Sequence, residues 1–181
     1  MSPKPVVALD NEGIARAVRR IAHEIVERGE GAGQLVVVGI LRRGANLAQR
    51  IATSLAQNGT KDIPVGTLDI ASYRDDGKGA AGDPRLLGRE IPFSLNGKRV
   101  LLVDDVLYTG RTARAALTAL AELGRPESIQ LAVLIDRGEH EVPIRADYVG
   151  KNIAAPAGQR VYVRLSEVDG VDAVVVGERK S

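Results

Sequence analysis

Three largely apolar segments constrain the fold of this 181-residue chain more than any other feature. They are QLVVVGI at residues 34–40, a strand at 99–104 that contains VLLV, and SIQLAVLI at 128–135. A strand that is apolar at every position is buried on both faces, as in a parallel sheet covered by helices. Helical patterns at residues 11–28, 45–57 and 112–123 alternate with these strands. The sequence therefore predicts an α/β fold, with a mostly parallel sheet flanked by helices.

The remaining segments predict a loop and a small appendage. A further strand is expected at residues 65–74, followed by DDGKGAAGDPRLLGRE at 75–90, which is rich in glycine and charge and has no periodicity. Long loops of this kind inside compact domains are usually functional. Short apolar segments at 147–149, 161–165 and 173–176 indicate a small β-containing appendage. Since no repeat or linker interrupts the chain, we expect residues 1–181 to form a single domain.

Composition excludes several classes of function. The chain contains no cysteine, so disulfides, thiolate metal sites and thiol nucleophiles are absent. It has no Trp, one Phe and four Tyr, which argues against a base-stacking nucleic-acid platform but leaves phosphate-backbone binding open. No apolar stretch approaches the ~18 residues that a membrane span needs, and the first residues do not resemble a secretory signal. We expect a cytoplasmic protein without membrane association.

Two adjacent carboxylates follow the strand at residues 99–104. Ligands bind beyond the carboxyl ends of strands in open parallel sheets, and Asp104 and Asp105 fall at that position. Carboxylates accept hydrogen bonds from vicinal hydroxyls, such as those of ribose. The sequence Thr-Gly-Arg-Thr at 109–112 then opens a helix, where backbone N–H groups can bind a phosphate. The arrangement predicts a site for a ribose 5-phosphate.

The segment VLLVDDVLYTGRT at residues 100–112 resembles the phosphoribosyl-pyrophosphate (PRPP) fingerprint of the type I phosphoribosyltransferases. Four further segments are similar to one branch of that family, the bacterial pyrimidine operon regulators, which bind mRNA and have uracil phosphoribosyltransferase activity. These segments are LDIASYRDD at 68–76, GRPESIQLAVLIDRG at 124–138, PIRADYVGKN at 143–152 and LSEVDGVD at 165–172. The resemblance covers nearly the whole chain.

The resemblance implies the type I phosphoribosyltransferase fold, with a flexible flap at about 74–92 and a small hood formed by about 145–181 and the N-terminus. It implies the reaction of uracil with PRPP to give UMP and diphosphate, with Mg²⁺ carried by PRPP and not fixed by protein side chains. Asp104, Asp105 and the flap residue Arg74 would be catalytic. Uracil would lie near Ile135, Asp136 and Arg137. The residues that would bind PRPP or UMP are Arg42, Arg43, Gly44, Val106, Leu107, Tyr108, Thr109, Gly110, Arg111 and Thr112.

The same resemblance implies a surface for pyr mRNA on a homodimer or homotetramer, with UMP promoting RNA binding. Its expected residues are Arg19, Arg20, His23, Arg28, His140, Arg145 and Lys151. The chain departs from the family at Arg42, where relatives often carry Thr, and at Glu139-His140, where His-Arg is expected. A glutamate beside RNA phosphates is unfavourable.

Two other hypotheses remain at the level of sequence. The chain could be a nucleotide-sensing RNA regulator with negligible catalysis, which would keep the PRPP site but tolerate the loss of Arg74. It could also be a purine or orotate phosphoribosyltransferase, since these enzymes share the fingerprint. The intact flap and the segment at residues 42–44 favour catalysis, and the C-terminal half favours the pyrimidine branch.

Overall fold

Two β-sheets organise the molecule. The computed structural model describes residues 4–29, 33–73 and 90–178. The first half contains β1 (Val6–Leu9), α1 (Asn11–Glu27), β2 (Leu35–Ile40), α2 (Arg43–Gln57), β3 (Val65–Leu68) and a 3₁₀ turn (Ala71–Tyr73). The second half contains β4 (Arg99–Leu107), α3 (Arg111–Leu123), β5 (Ser128–Asp136), β6 (Tyr148–Asn152), β7 (Gln159–Arg164), α4 (Ser166–Asp169) and β8 (Ala173–Glu178).

The main sheet has five parallel strands in the order β3-β2-β4-β5-β6. Alternate residues of β4 face opposite helices: Leu101 and Val103 pack with the buried residues of α1 and α2, and Val100 and Leu102 pack with those of α3. Burial on both faces explains why the middle of these strands is apolar, as at residues 100–103 of β4 and 131–135 of β5. The predicted α/β architecture is confirmed.

A second sheet of three antiparallel strands, β1-β8-β7, joins the N-terminal strand to the C-terminal one. The segment at 147–149, which the sequence suggested as part of the appendage, lies elsewhere. It belongs to β6, which pairs in parallel with β5 at the edge of the main sheet. Gly150 permits this position, because a Cβ there would lie 2.4 Å from the carbonyl oxygen of Leu134. The appended sheet therefore receives its C-terminal strands only after β6.

Two strand boundaries differ from the prediction, and in both cases local hydrogen bonds decide them. β3 ends at Leu68, well before the predicted residue 74, because the Asp69 carboxylate accepts from the Ala71 N–H and begins a turn. β4 continues through the two carboxylates to Leu107, because its ladder with β5 extends to Asp136. Asp104 and Asp105 therefore lie within the β4–β5 ladder and not beyond its end.

None of the helices among the described residues has the length and apolar character that a membrane span requires.

Candidate active site

A cavity of about 260 Å³ lies at the carboxyl end of β4. Both β4 and the loop that leads into α3 contribute to it, and β5 closes it from the side through Leu131 and Val133. The sequence placed the phosphate and ribose contacts in this same segment. The cavity lining includes Asp104, Val106, Leu107, Tyr108, Thr109, Gly110, Arg111 and Thr112.

The two carboxylates at the end of β4 have different surroundings. Asp104 is 8% exposed and lines the cavity, and its Oδ1 accepts from the N–H of Asp105 at 2.9 Å. Asp105 is half-buried, and its Oδ1 accepts from the N–H of Val106 at 2.8 Å. These backbone contacts fix both carboxylates next to the loop. The site thus holds two acceptors for ligand hydroxyls beside a helix N-terminus.

The N-terminus of α3 is built around Gly110. This residue has φ +89°, and a Cβ added to it would lie 2.6 Å from Cγ2 of Val142. Both the left-handed backbone and the lack of space require glycine. Gly110 offers no capping side chain, and the Thr109 hydroxyl accepts from the Arg111 N–H at a long 3.4 Å. The first turn of α3 therefore presents N–H groups and a positive dipole end towards an anion.

A segment that the sequence did not single out supports this loop from behind. The carbonyl oxygen of Thr109 accepts from the N–H groups of Glu141 at 2.8 Å and Val142 at 3.3 Å. The Glu141 carboxylate also pairs with Nε of Arg111 at 2.8 Å. These partners are about 30 residues away in the chain, so local sequence gives no signal of them.

The segment at residues 42–44 meets the end of β4. Arg43 and Gly44 already belong to α2, which begins two residues earlier than predicted. Gly44 allows the close approach, since a Cβ would lie 2.6 Å from the carbonyl oxygen of Val103. Arg42 is exposed, and the peptide bond that precedes it is cis. The segment therefore lies beside Asp104 and Asp105.

Arg43 has a partner within the protein. Its Nε and Nη2 donate to the two carboxylate oxygens of Asp169 in α4, at 3.1 and 2.8 Å. The hydrogen bond that Arg43 donates to Asp169 is the main cause that raises the pKa of Arg43, and the charges of Asp169 and Asp105 add to it. The same pair lowers the pKa of Asp169. Sequence reasoning assigned Arg43 to PRPP without this partner.

The predicted uracil residues lie at the end of β5. Ile135 is fully buried in the core, and the Asp136 carboxylate accepts from Gly138 N–H at 2.8 Å and contacts Nε2 of His140 at 2.9 Å. Asp136 and His140 line a second cavity of about 490 Å³ together with Arg137 and Arg145. Residues predicted for uracil and residues predicted for RNA thus share one cavity.

Arg137 connects this cavity to the phosphate loop. It is 9% exposed, and its guanidinium lies 3.9 Å from the ring centre of Tyr108. It donates to the carbonyl oxygen of Gln159 at the start of β7 and pairs with Glu139 at 2.8 Å. A cation stacked on an aromatic face is stabilised by the ring's quadrupole. Arg137 therefore links the loop after β4 to the three-stranded sheet.

The remaining residues predicted for RNA lie along α1 and β6. Arg20 donates to carbonyl oxygens of β6, including that of Val149 at 3.3 Å, and Arg28 donates to that of Asp147 at 3.5 Å. Lys151 of β6 donates to the carbonyl oxygen of Ala8 at 3.3 Å. The structure thus brings Arg20, Arg28 and Lys151 together at a sheet edge.

Arg19 and His23 extend the same helix. Arg19 is exposed, and Nε2 of His23 contacts Oδ1 of Asn58 at the end of α2, at 3.0 Å. His140 and Arg145 are separate from this group, because they line the cavity at the end of β5.

Arg74 lies outside the described residues, as does most of the predicted flap. Its N-terminal neighbour Tyr73 is described: the Tyr73 hydroxyl donates to the Glu122 carboxylate of α3. Burial, followed by this hydrogen bond, raises the pKa of Tyr73 to about 12. The base of the segment is therefore attached to α3.

Comparison with known proteins identifies the family. Residues 8–163 match the model of the phosphoribosyl transferase domain. The chain is 54% identical over 178 residues to the "Bifunctional protein PyrR" of Pelotomaculum thermopropionicum, covering 98% of each chain. It is 56% identical over 168 residues to that of Chloroflexus aurantiacus, covering 93% of this chain and 92% of the relative.

A solved structure agrees in fold. The hypoxanthine phosphoribosyltransferase of Trypanosoma cruzi superposes with a TM-score of 0.73 at 22% identity, covering 96% of this chain and 97% of that one. At this identity the likeness shows the fold alone, which is the predicted type I phosphoribosyltransferase fold. The chain belongs to the phosphoribosyltransferase family and, within it, to the branch of the bifunctional PyrR proteins.

Proposed function

We propose that the protein is a uracil phosphoribosyltransferase that also regulates pyrimidine genes by binding pyr mRNA in a UMP-dependent manner. The observation that carries the catalytic half is the cavity at the end of β4, which is lined both by Asp104 and by the first residues of α3. It combines a carboxylate that can accept from ribose hydroxyls with a helix N-terminus that can bind a phosphate. Residues 1–181 act as one domain, in which β1, β7, β8 and α4 form the hood.

The displacement needs positioning and electrostatics more than a nucleophile. Cleavage at an anomeric carbon passes through an oxocarbenium-like state, with positive charge on the sugar ring and negative charge on the leaving group. Asp104 and Asp105 hold the ribose hydroxyls, and their charge favours the cationic ring. Thr109, Gly110 and Thr112 hold the 5′-phosphate at the start of α3. The protein thereby fixes both ends of the ribosyl group.

The diphosphate lies on the other side of the ribose, against residues 42–44. Arg42 and the backbone beside Gly44 contact it, and Arg74 of the flap closes over it and excludes water. Phosphate oxygens and waters are the ligands that Mg²⁺ prefers, so Mg²⁺ would be carried by PRPP and not fixed by protein side chains. Mg²⁺ carried in this way would neutralise charge on the diphosphate.

Uracil binds in the region between the phosphate loop and the hood, near Ile135, Asp136 and Arg137. Since Ile135 is fully buried, its contribution is a backbone group or packing against the ring. Arg137 is held by Tyr108 and Gln159, so it fixes the distance between loop and hood around the base.

The catalytic half is tested by following UMP formation from PRPP, Mg²⁺ and uracil. We expect Asp105→Asn to lower kcat/KM by about 100-fold or more, the range seen when one preorganised electrostatic contact is lost. Asp62→Asn is the matched control, since Asp62 is exposed and lies outside the site. Equal activity of the native protein and the Asp105→Asn variant would exclude the proposed site.

The regulatory half rests on the basic residues that α1 and β6 bring together. In a homodimer or homotetramer, two or more copies of this surface would contact one folded RNA. Folded RNA presents loops and backbone phosphates, which suit arginine and lysine. UMP would favour RNA binding if both prefer the same protein state.

RNA affinity with and without UMP tests this half. Arg19→Gln should weaken binding of pyr leader RNA several-fold and reduce its salt dependence, because a phosphate contact is lost. Arg125→Gln removes the same charge from an exposed position after α3 and should leave affinity unchanged. Equal RNA affinity with and without UMP would contradict the coupling. RNA binding without UMP formation would support the alternative, a nucleotide-sensing regulator with negligible catalysis.

A further inference from the structure

A two-point clamp joins the hood to α2. At the first point, Arg43 binds the Asp169 carboxylate through two hydrogen bonds. At the second, Arg50 binds Glu167 at 2.8 Å through Nε and Asp172 at 2.7 Å through Nη1. Arg43 and Arg50 are seven residues apart and therefore lie two turns apart on one face of α2. The segment from α4 to the start of β8 is thus held along the helix at two places.

The two points differ in strength and position. Arg50 contacts two carboxylates and the Ser166 hydroxyl, whereas Arg43 contacts a single carboxylate. The Arg43 and Asp169 side chains are 32% and 21% exposed, so water and ions reach the pair. A partly exposed ion pair contributes little to stability and is easily exchanged. The Arg50 point can hold the hood while the Arg43 point opens.

Asp169 is itself well fixed. Its Oδ2 accepts from the N–H of Leu165 at 2.8 Å, and its own N–H donates to the carbonyl oxygen of Leu165. The carboxylate therefore stays in place when Arg43 leaves, and an anion that binds Arg43 comes close to a fixed negative charge. Arg43 cannot satisfy Asp169 and a diphosphate equally well, because their charges repel each other.

We propose that Asp169 is a positioning residue: it holds Arg43 in the diphosphate-free protein and gives it up to the diphosphate group when PRPP binds. The exchange rests on the proposed function, since it needs a diphosphate beside residues 42–44. A diphosphate offers pairs of oxygens that match the guanidinium fork and carries more charge than one carboxylate. After the reaction, Asp169 recaptures Arg43 and so assists diphosphate release.

The exchange predicts that removal of the Asp169 charge strengthens the binding of diphosphate and PRPP. Asp169→Asn keeps an oxygen for the Leu165 N–H but removes the competing charge. The dissociation constants of Mg²⁺-diphosphate and of PRPP, measured by isothermal titration calorimetry, should therefore fall about three- to fivefold, as expected for a partly exposed ion pair. In UMP formation, KM for PRPP should fall and kcat should fall with it, because diphosphate leaves more slowly.

Two controls separate exchange from simple support of the hood. Glu167→Gln removes a charge from the same helix at the Arg50 point, and it should leave diphosphate affinity unchanged. In an Arg43→Gln background, Asp169→Asn should have no further effect on affinity, since the residue acts through Arg43.

Other outcomes overturn the exchange in distinguishable ways. Equal or weaker diphosphate binding by Asp169→Asn would mean that Asp169 orients Arg43 and does not compete for it. A similar change in diphosphate affinity in Asp169→Asn and Glu167→Gln would mean that the Arg43–Asp169 pair only supports the structure of the hood. Native protein that binds neither PRPP nor diphosphate would remove the proposed function together with the exchange.

Discussion

Gly110 is the residue on which the geometry of the phosphate site depends most directly. Its backbone is left-handed, and Val142 occupies the space that a side chain would need. Gly110→Ala should raise KM for PRPP about tenfold, because relief of the clash moves the N–H groups of the first turn of α3 away from the phosphate. Loss of one hydrogen bond to a charged group costs about 1.5 kcal/mol. Steady-state kinetics with varied PRPP measures the change.

Gly97→Ala provides the comparison for Gly110→Ala. Gly97 also has positive φ, +67°, but nothing lies within 4 Å of a Cβ there. Both variants carry the penalty of a left-handed alanine, about 1 kcal/mol. Only Gly110→Ala should change KM. An equal effect of the two substitutions on KM would show that general destabilisation, and not the phosphate site, is responsible.

The residues of the site could be predicted from the sequence where they lie close together in the chain. Asp104, Thr109 and Gly110 were predicted to share one site, and the structure places all three on one cavity. Side-chain partners that are distant in the sequence could not be predicted. Arg43, for example, binds Asp169. Pairing of side chains across 126 residues depends on the fold, so no local pattern reveals it.

At the scale of elements, the contact between α2 and the hood depends on pH. The hydrogen bond from Arg50 is the main cause that lowers the pKa of Asp172 to about 2, from an ordinary 3.8. A depressed folded-state pKa means that the stabilisation is fully present above pH 4 and is lost as the pH falls from 3.8 towards 2. Asp172→Asn should lower the free energy of unfolding by about 1 to 2 kcal/mol at pH 7.

Urea unfolding of native protein and Asp172→Asn at pH 7 and at pH 3 measures this dependence. The difference between the two proteins should shrink by about half at pH 3, because unfolded Asp172 is mostly protonated there. Asp62→Asn should unfold like the native protein at both pH values. A difference that stays constant with pH would show that Asp172 contributes packing and not charge.

The elements themselves were predictable in type and less so in extent. Helices α1, α2 and α3 lie within two residues of their predicted bounds, because apolar periodicity records the face that packs on the sheet. The assignment of β6 to the appendage was wrong, since the sequence of a five-residue strand does not indicate which sheet it joins. The predicted end of β4 is too early. The two carboxylates suggested the end of a strand, but the ladder with β5 continues past them.

For the whole molecule, the parallel sheet followed from the apolar strands alone, and the family followed from the segment at 100–112 together with similarity along nearly the whole chain. In the proposed function, the base binds where the hood meets the sheet. That contact is formed by Arg137, Tyr108 and Gln159, which come from three separate elements. The identity of the substrate base is therefore the part of the function that is hardest to predict from sequence patterns.

Product formation with different bases is the most direct test of the central claim. Native protein with PRPP and Mg²⁺ would be given uracil, hypoxanthine, adenine or orotate separately, and the nucleotide product would be quantified by chromatography. The account predicts UMP from uracil and at least 100-fold less product from each of the other bases. A nucleotide formed from hypoxanthine, adenine or orotate in preference to UMP would contradict the assignment of uracil as the substrate, and no product from any base would contradict catalysis.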